Sequence, residues 1–138
     1  MTKSRKYLIL SIIILIILIS CYYYIFNIFE TTIQVNPQNL FADNQSTITI
    51  EVIPINALAW KVPFRNVTVD FKITEGQDLI KIIYENRDKG IIKLKAENIT
   101  GKVMVYVKPK YSLLPSIIEI NIYPNLAMIN KSNENLLR

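Results

Sequence analysis

The sequence has no histidine and one cysteine, Cys21. Those two scarcities exclude Cys/His zinc sites, Cys–His and Ser–His–Asp nucleophilic machinery, and any disulfide within the chain. Stability therefore has to come from a packed core. A clustered basic surface is missing too. Of sixteen Lys and Arg residues, three (Lys3, Arg5 and Lys6) precede a long apolar run, which leaves 13 basic against 11 acidic residues with their signs interleaved. That near balance gives no footprint for nucleic acid, which needs basic charge gathered on one surface.

Catalytic and metal chemistry are equally poorly provided for. Glu51, Asp70, Glu97 and Glu119 fall at outward positions of β-patterned runs beside Lys72, Lys93 and Lys95. Nothing there supplies the burial or close like charge that raises a carboxylate pKa for acid/base work. Asp43, Asp78 and Asp88 lie in loops without EF-hand spacing. The sequence predicts no enzyme, no metal and no cofactor.

What is present begins with Tyr7–Phe29, YLILSIIILIILISCYYYIFNIF, a run free of charge. A helix of about 20 residues already spans the hydrocarbon core of a bilayer. Lys3, Arg5 and Lys6 precede the run and Glu30 follows it, so the positive-inside bias predicts a cytoplasmic N-terminus and an extracytoplasmic remainder. Tyr22, Tyr23 and Tyr24 would then sit at the outer headgroup level. A second reading stays open: Leu18-Ile19-Ser20-Cys21 resembles a lipobox, with Cys21 as the lipidated residue. Both readings tether residues 31 onward to a membrane.

From Thr31 the hydrophobic period becomes two, the mark of strands with one buried face. Ile48, Ile50 and Val52 alternate with Thr47, Thr49 and Glu51. The same holds for Val67, Val69, Phe71 and Ile73, for Ile92, Leu94 and Ala96, for Val103, Val105 and Val107, and for Ile118, Ile120 and Ile122. Less regular strands near Ile33–Val35 and Leu79–Tyr84 bring the number to seven. Turn signals separate the runs at Asn36-Pro37, Asp43-Asn44, Glu75-Gly76, Asp88-Lys89-Gly90 and Asn98–Gly101. The prediction is an all-β, seven-stranded Ig-like Greek-key sandwich over residues 31–123, preceded by a transmembrane anchor over 1–30 and followed by a polar tail over 124–138.

The strand Val67–Ile73 ending in Glu75-Gly76, the Asp88-Lys89-Gly90 turn into Ile91–Ala96, and Gly101 leading into Val103–Val107 together resemble the bacterial immunoglobulin-like domains of the invasin and intimin kind. The resemblance spans about Val35 to Tyr123. It implies a structural or adhesive envelope module and brings no catalytic residues with it.

Two surfaces are candidates for contact with a partner. The outward face of the last two strands would display Met104, Tyr106, Glu119, Asn121 and Tyr123, an aromatic and polar mixture of the sort found at interfaces. Trp60 and Phe64, in the irregular stretch Asn56–Asn66, would either anchor a partner from a loop or close one end of the core. The expected function is a non-catalytic, membrane-tethered extracytoplasmic module for adhesion, scaffolding or protein contact. The alternative is an accessory single-span subunit of a larger membrane complex. The partner is a protein or another envelope surface component, in either case at the periplasmic or cell-surface side.

Overall fold

The computed structural model describes residues 3–125, so most of the expected polar tail lies outside the described residues. The chain divides into two compact units. One comprises the N-terminal residues through Thr32 together with Pro54–Arg65, and the other Ile33–Ile53 together with the residues from Asn66 onward.

The first unit is dominated by one helix, α1 (Lys3–Phe26), of 24 residues and about 36 Å at 1.5 Å per residue. Lys3, Arg5 and Lys6 lie in its opening turns. From Lys3 through Tyr24 every residue is exposed, so its Ile and Leu side chains form an apolar surface that protein leaves largely uncovered. That pattern fits a solvent other than water.

The eight strands are β1 (Glu30–Asn36), β2 (Leu40–Ala42), β3 (Thr47–Ile55), β4 (Val69–Glu75), β5 (Ile80–Asn86), β6 (Ile91–Ala96), β7 (Gly101–Pro109) and β8 (Ser116–Pro124). They form two four-stranded sheets, ordered β1-β3-β6-β5 and β2-β8-β7-β4. Only β5–β6 and β7–β8 are sequential strands of one sheet, and every other connection passes between sheets. The alternating pattern explains why the strands pair as they do. Ile48, Ile50, Ile92 and Leu94 turn inward from the first sheet, and Val103, Val105, Val107 and Ile120 from the second, all of them buried. This core is almost wholly Val, Ile and Leu, with Phe71 its one aromatic among the described residues. Such β-branched residues are stiff about χ1 and suit a pleated surface.

Eight strands replace the expected seven. The extra one, β2, is three residues long, too short to show a period, and it pairs in parallel with β8 through Leu40–Ile122 and Phe41–Tyr123. Val67 is buried as expected but lies ahead of β4, which begins at Val69.

Two local devices hold the connections. Asp43 closes the turn into β3. Its Oδ1 accepts the Ser46 amide at 2.6 Å and the Gln45 amide at 2.8 Å, and its Oδ2 accepts the Ser46 hydroxyl at 2.7 Å. These bonds, those from Ser46 foremost, hold the Asp43 carboxyl below its ordinary pKa. Gly76, after β4, has φ +74°, and a Cβ there would lie 2.5 Å from the Lys102 carbonyl oxygen.

Three outcomes follow from this packing. Phe71→Ala should cost about 3–5 kcal/mol by opening a cavity, while Asp70→Ala beside it changes stability by less than about 0.5 kcal/mol. Urea denaturation of the full chain in detergent compares the two. Gly76→Ala should cost at least about 1–2 kcal/mol from its left-handed backbone alone, before the clash with Lys102 is counted. Because the Asp43 pKa is depressed on folding, its stabilisation is present above the ordinary carboxylate range and is lost as pH falls through the folded value. Asp43→Ala should therefore destabilise at pH 7 by about 1 kcal/mol and converge with wild type in acid.

Candidate interaction surface

Alternation along β7 sends Val103, Val105 and Val107 inward, so Met104 and Tyr106 face out, half-buried. In β8, Ile120 and Ile122 are buried while Glu119, Asn121 and Tyr123 are exposed. Antiparallel register then sets Lys102 opposite Asn121, Met104 opposite Glu119 and Tyr106 opposite Ile117. The five residues expected on this face are thus brought together.

The structure adds neighbours to them. Phe41 of β2 lies opposite Tyr123, Ile117 is exposed beside Tyr106, and Lys72 of β4 flanks Tyr106 on its other side. Ile117 is missed because the alternating run is read from Ile118, whereas β8 begins at Ser116. Phe41 is missed because β2 is short. Lys102 Nζ meets Glu119 Oε2 at 2.8 Å with both side chains about half exposed, and this bond is the main cause that lowers the Glu119 pKa. An exposed pair of this kind contributes little to stability. It does hold two long side chains in a fixed arrangement between Met104 and Asn121.

The opposite outer face, that of the first sheet, differs in chemistry. Thr47, Thr49, Lys81, Lys93 and Lys95 occupy paired outward positions there, together with Tyr84 opposite Lys93 and Glu51 opposite Ile91. Exposed apolar residues occur on both sheets, but those of the first, Ile82, Ile83 and Tyr84, stay on its edge strand β5, while those of the second extend over β2, β7 and β8, the broader surface for a partner.

In the first unit, Trp60 is 64% exposed and Phe64 fully so. Of the two readings of the pair, closure of one end of the core is therefore corrected. The reason is the buried Asn56, which sequence reading passed over as the mere start of a loop. Its Oδ1 accepts the amides of Leu58 and Trp60, both at 3.0 Å, and its Nδ2 donates to the Ile25 carbonyl at 3.1 Å, near the end of α1. Asn56 thereby folds residues 56–60 into a tight loop with Trp60 on its outside. Phe64 has φ +57°, a left-handed conformation that is uncommon for a bulky residue and is found where surrounding structure over-determines it. It is Val62 that the unit buries instead.

Cys21 is exposed on α1, which continues to Phe26 without interruption. Among the described residues, the two carboxyls with shifted pKa values, Asp43 and Glu119, are both lowered, opposite to the direction a general acid requires. No three His, Cys, Asp or Glu side chains cluster among the described residues.

No protein-family model and no curated protein sequence matches the chain. Solved structures do. A glycosyl hydrolase family 2 member from Bacteroides cellulosilyticus matches with a TM-score of 0.55 at 16% identity, over 70% of this chain and 14% of that one. The adhesin InvE of Yersinia pseudotuberculosis gives 0.45 at 20% identity, over 68% and 26% respectively. The D00-D0 domain of intimin gives 0.43 at 17%, over 70% and 46%. The chain thus spans only a fraction of each of these proteins. The first match shows a shared β fold, and the activity of the larger enzyme does not come with it.

Because Tyr106 and Tyr123 face outward, replacing both with serine should shift stability by less than about 1 kcal/mol. Asn56→Ala should cost about 1–3 kcal/mol, since it leaves the Leu58 and Trp60 amides without their acceptor. Thermal melts of the full chain in detergent compare them.

Proposed function

We propose that this chain is a non-catalytic, membrane-tethered Ig-like module of the cell envelope, its N-terminus in the cytoplasm and its sandwich outside. It acts by contact with a protein or another envelope surface component. The observation that supports this best is the set of outward apolar side chains Phe41, Met104, Tyr106, Ile117 and Tyr123, which runs across three strands of the second sheet, whereas the exposed apolar residues of the first sheet, Ile82, Ile83 and Tyr84, are confined to its edge strand β5. Aromatic anchors contribute disproportionately to interface energy, whereas exposed charges at the rim act mainly on association rate. The tether is supported by α1, whose length and uninterrupted apolar surface meet the requirements of a bilayer span. Its basic start sets the orientation.

The test uses intact full-length protein. Protease added outside spheroplasts should digest the chain beyond Glu30, and protection would contradict the orientation. With folding shown intact by melting, the combined Tyr106→Ser and Tyr123→Ser variant should recover a cross-linked partner about tenfold less well than wild type, a loss of about 1.4 kcal/mol. Recovery equal to wild type would remove this face from the account. Purification in mild detergent also separates a free-standing module, which runs alone, from an accessory subunit, which co-purifies in fixed ratio with its complex.

A further inference from the structure

The loop that Asn56 organises is built from Ala57, Leu58, Ala59 and Trp60, four residues without charge. Three of its four amides are satisfied from within. Leu58 and Trp60 donate to the Asn56 side chain, Ala59 donates to the Asn56 carbonyl at 3.0 Å, and Asn56 donates to the Trp60 carbonyl at 2.9 Å. Water is not needed to complete those bonds. An uncharged loop with most of its amides paired, and with the Ala57, Leu58 and Ala59 carbonyls left for water, suits the hydrated interface of a bilayer, where the backbone need not be fully paired as it must be in hydrocarbon.

Position along α1 points the same way. Leu58 shares a groove of about 380 Å³ with Ile16, Ile17, Cys21, Tyr24 and Ile25. Ala57 shares a smaller one, about 180 Å³, with Tyr23, Tyr24, Asn27 and Phe29. Counting from Tyr7, the first residue after the last basic side chain, a span of about 20 residues ends near Phe26. Leu58 therefore reaches back along α1 to the bilayer side of the tyrosines, and the Asn56–Ile25 bond fixes the loop there. Yet Leu58 remains 51% exposed and Trp60 64%, so their free surfaces have no protein partner within this unit.

Resting on the reading of α1 as a membrane span, we propose that Ala57–Trp60 is a second lipid-contacting element, seated in the outer leaflet. Leu58 lies among acyl chains that fill the groove along α1, and Trp60 joins Tyr22, Tyr23 and Tyr24 in the interfacial aromatic belt. Lys61, the first charge after the loop, lies at headgroup level, where a long basic side chain extends toward water. The occupant of this apolar surface is the bilayer that holds the chain's own helix.

Trp60 is the only tryptophan, so its fluorescence reports on the loop directly. The full chain is placed in vesicles and in nanodiscs of phosphatidylcholine and phosphatidylglycerol, and membrane integration is checked by resistance to carbonate extraction. Emission should be shifted to the blue, iodide quenching should be about fivefold weaker than for a free tryptophan analogue, and lipids brominated high on the acyl chain should quench strongly, as for an interfacial indole. Leu58→Lys should raise iodide access severalfold while carbonate resistance stays the same. Full iodide access without quenching by brominated lipid, in carbonate-resistant protein, would overturn the proposal, leave the anchor standing and turn the loop toward a protein partner. Extraction by carbonate would instead remove the anchor reading, and this proposal with it.

Discussion

The sandwich depends on one layer of aliphatic side chains between its two sheets. With a single cysteine and no histidine, neither a disulfide nor a Cys/His zinc site is available to hold the sheets. Each buried Val, Ile or Leu contributes roughly 1.5–3 kcal/mol relative to exposure. The sum is largely cancelled by the entropy of ordering the chain. The layer therefore has to be closely packed, and it is: Ile48, Ile50, Leu94, Val103, Val105 and Ile120 have no exposed surface. Gly90 shows how close the elements come, since a Cβ there would meet the Val69 side chain and the Val67 carbonyl oxygen at 3.0 Å.

The outer surfaces follow from that layer. Once alternate residues are committed inward, their neighbours must face out, and chemistry is then free to differ between the two sheets. The second sheet uses this freedom for tyrosine, phenylalanine, methionine and isoleucine, interleaved with Lys72, Lys102 and Glu119. In the first unit the organising residue is polar instead. Asn56 satisfies two loop amides and the Ile25 carbonyl at once, and burying it without those partners would be costly. One unit is thus specified by apolar packing and the other by a buried amide.

Most of the strand pattern was legible because a period of two survives wherever one face is buried and the other wet, as in Thr47–Val52 and Val103–Lys108. The apolar run was equally plain, because its length and lack of charge are themselves the signal. Legibility failed where geometry is set by tertiary partners. Leu40–Ala42 is a strand only because β8 offers an edge to it. Ile117 falls outside the alternating run read from Ile118 onward, and it is pairing with β7 that extends β8 back to Ser116. Within the loop, Trp60 and Phe64 looked like core closure because large apolar residues usually are. Their exposure results from the hydrogen bonds of Asn56 and the left-handed turn at Phe64, and no spacing in the sequence announces either. The five face residues were found because strand parity alone determines them.

Native-state hydrogen exchange on the full chain in nanodiscs tests the central claim, that one shared aliphatic layer makes the two sheets a single cooperative unit. The account predicts that amides of Ile48–Val52 and Ile92–Leu94 in the first sheet, and of Val103–Val107 and Ile120 in the second, exchange last and through one common global opening. Exchange of one sheet orders of magnitude ahead of the other would mean that the sheets are held separately, and would contradict it.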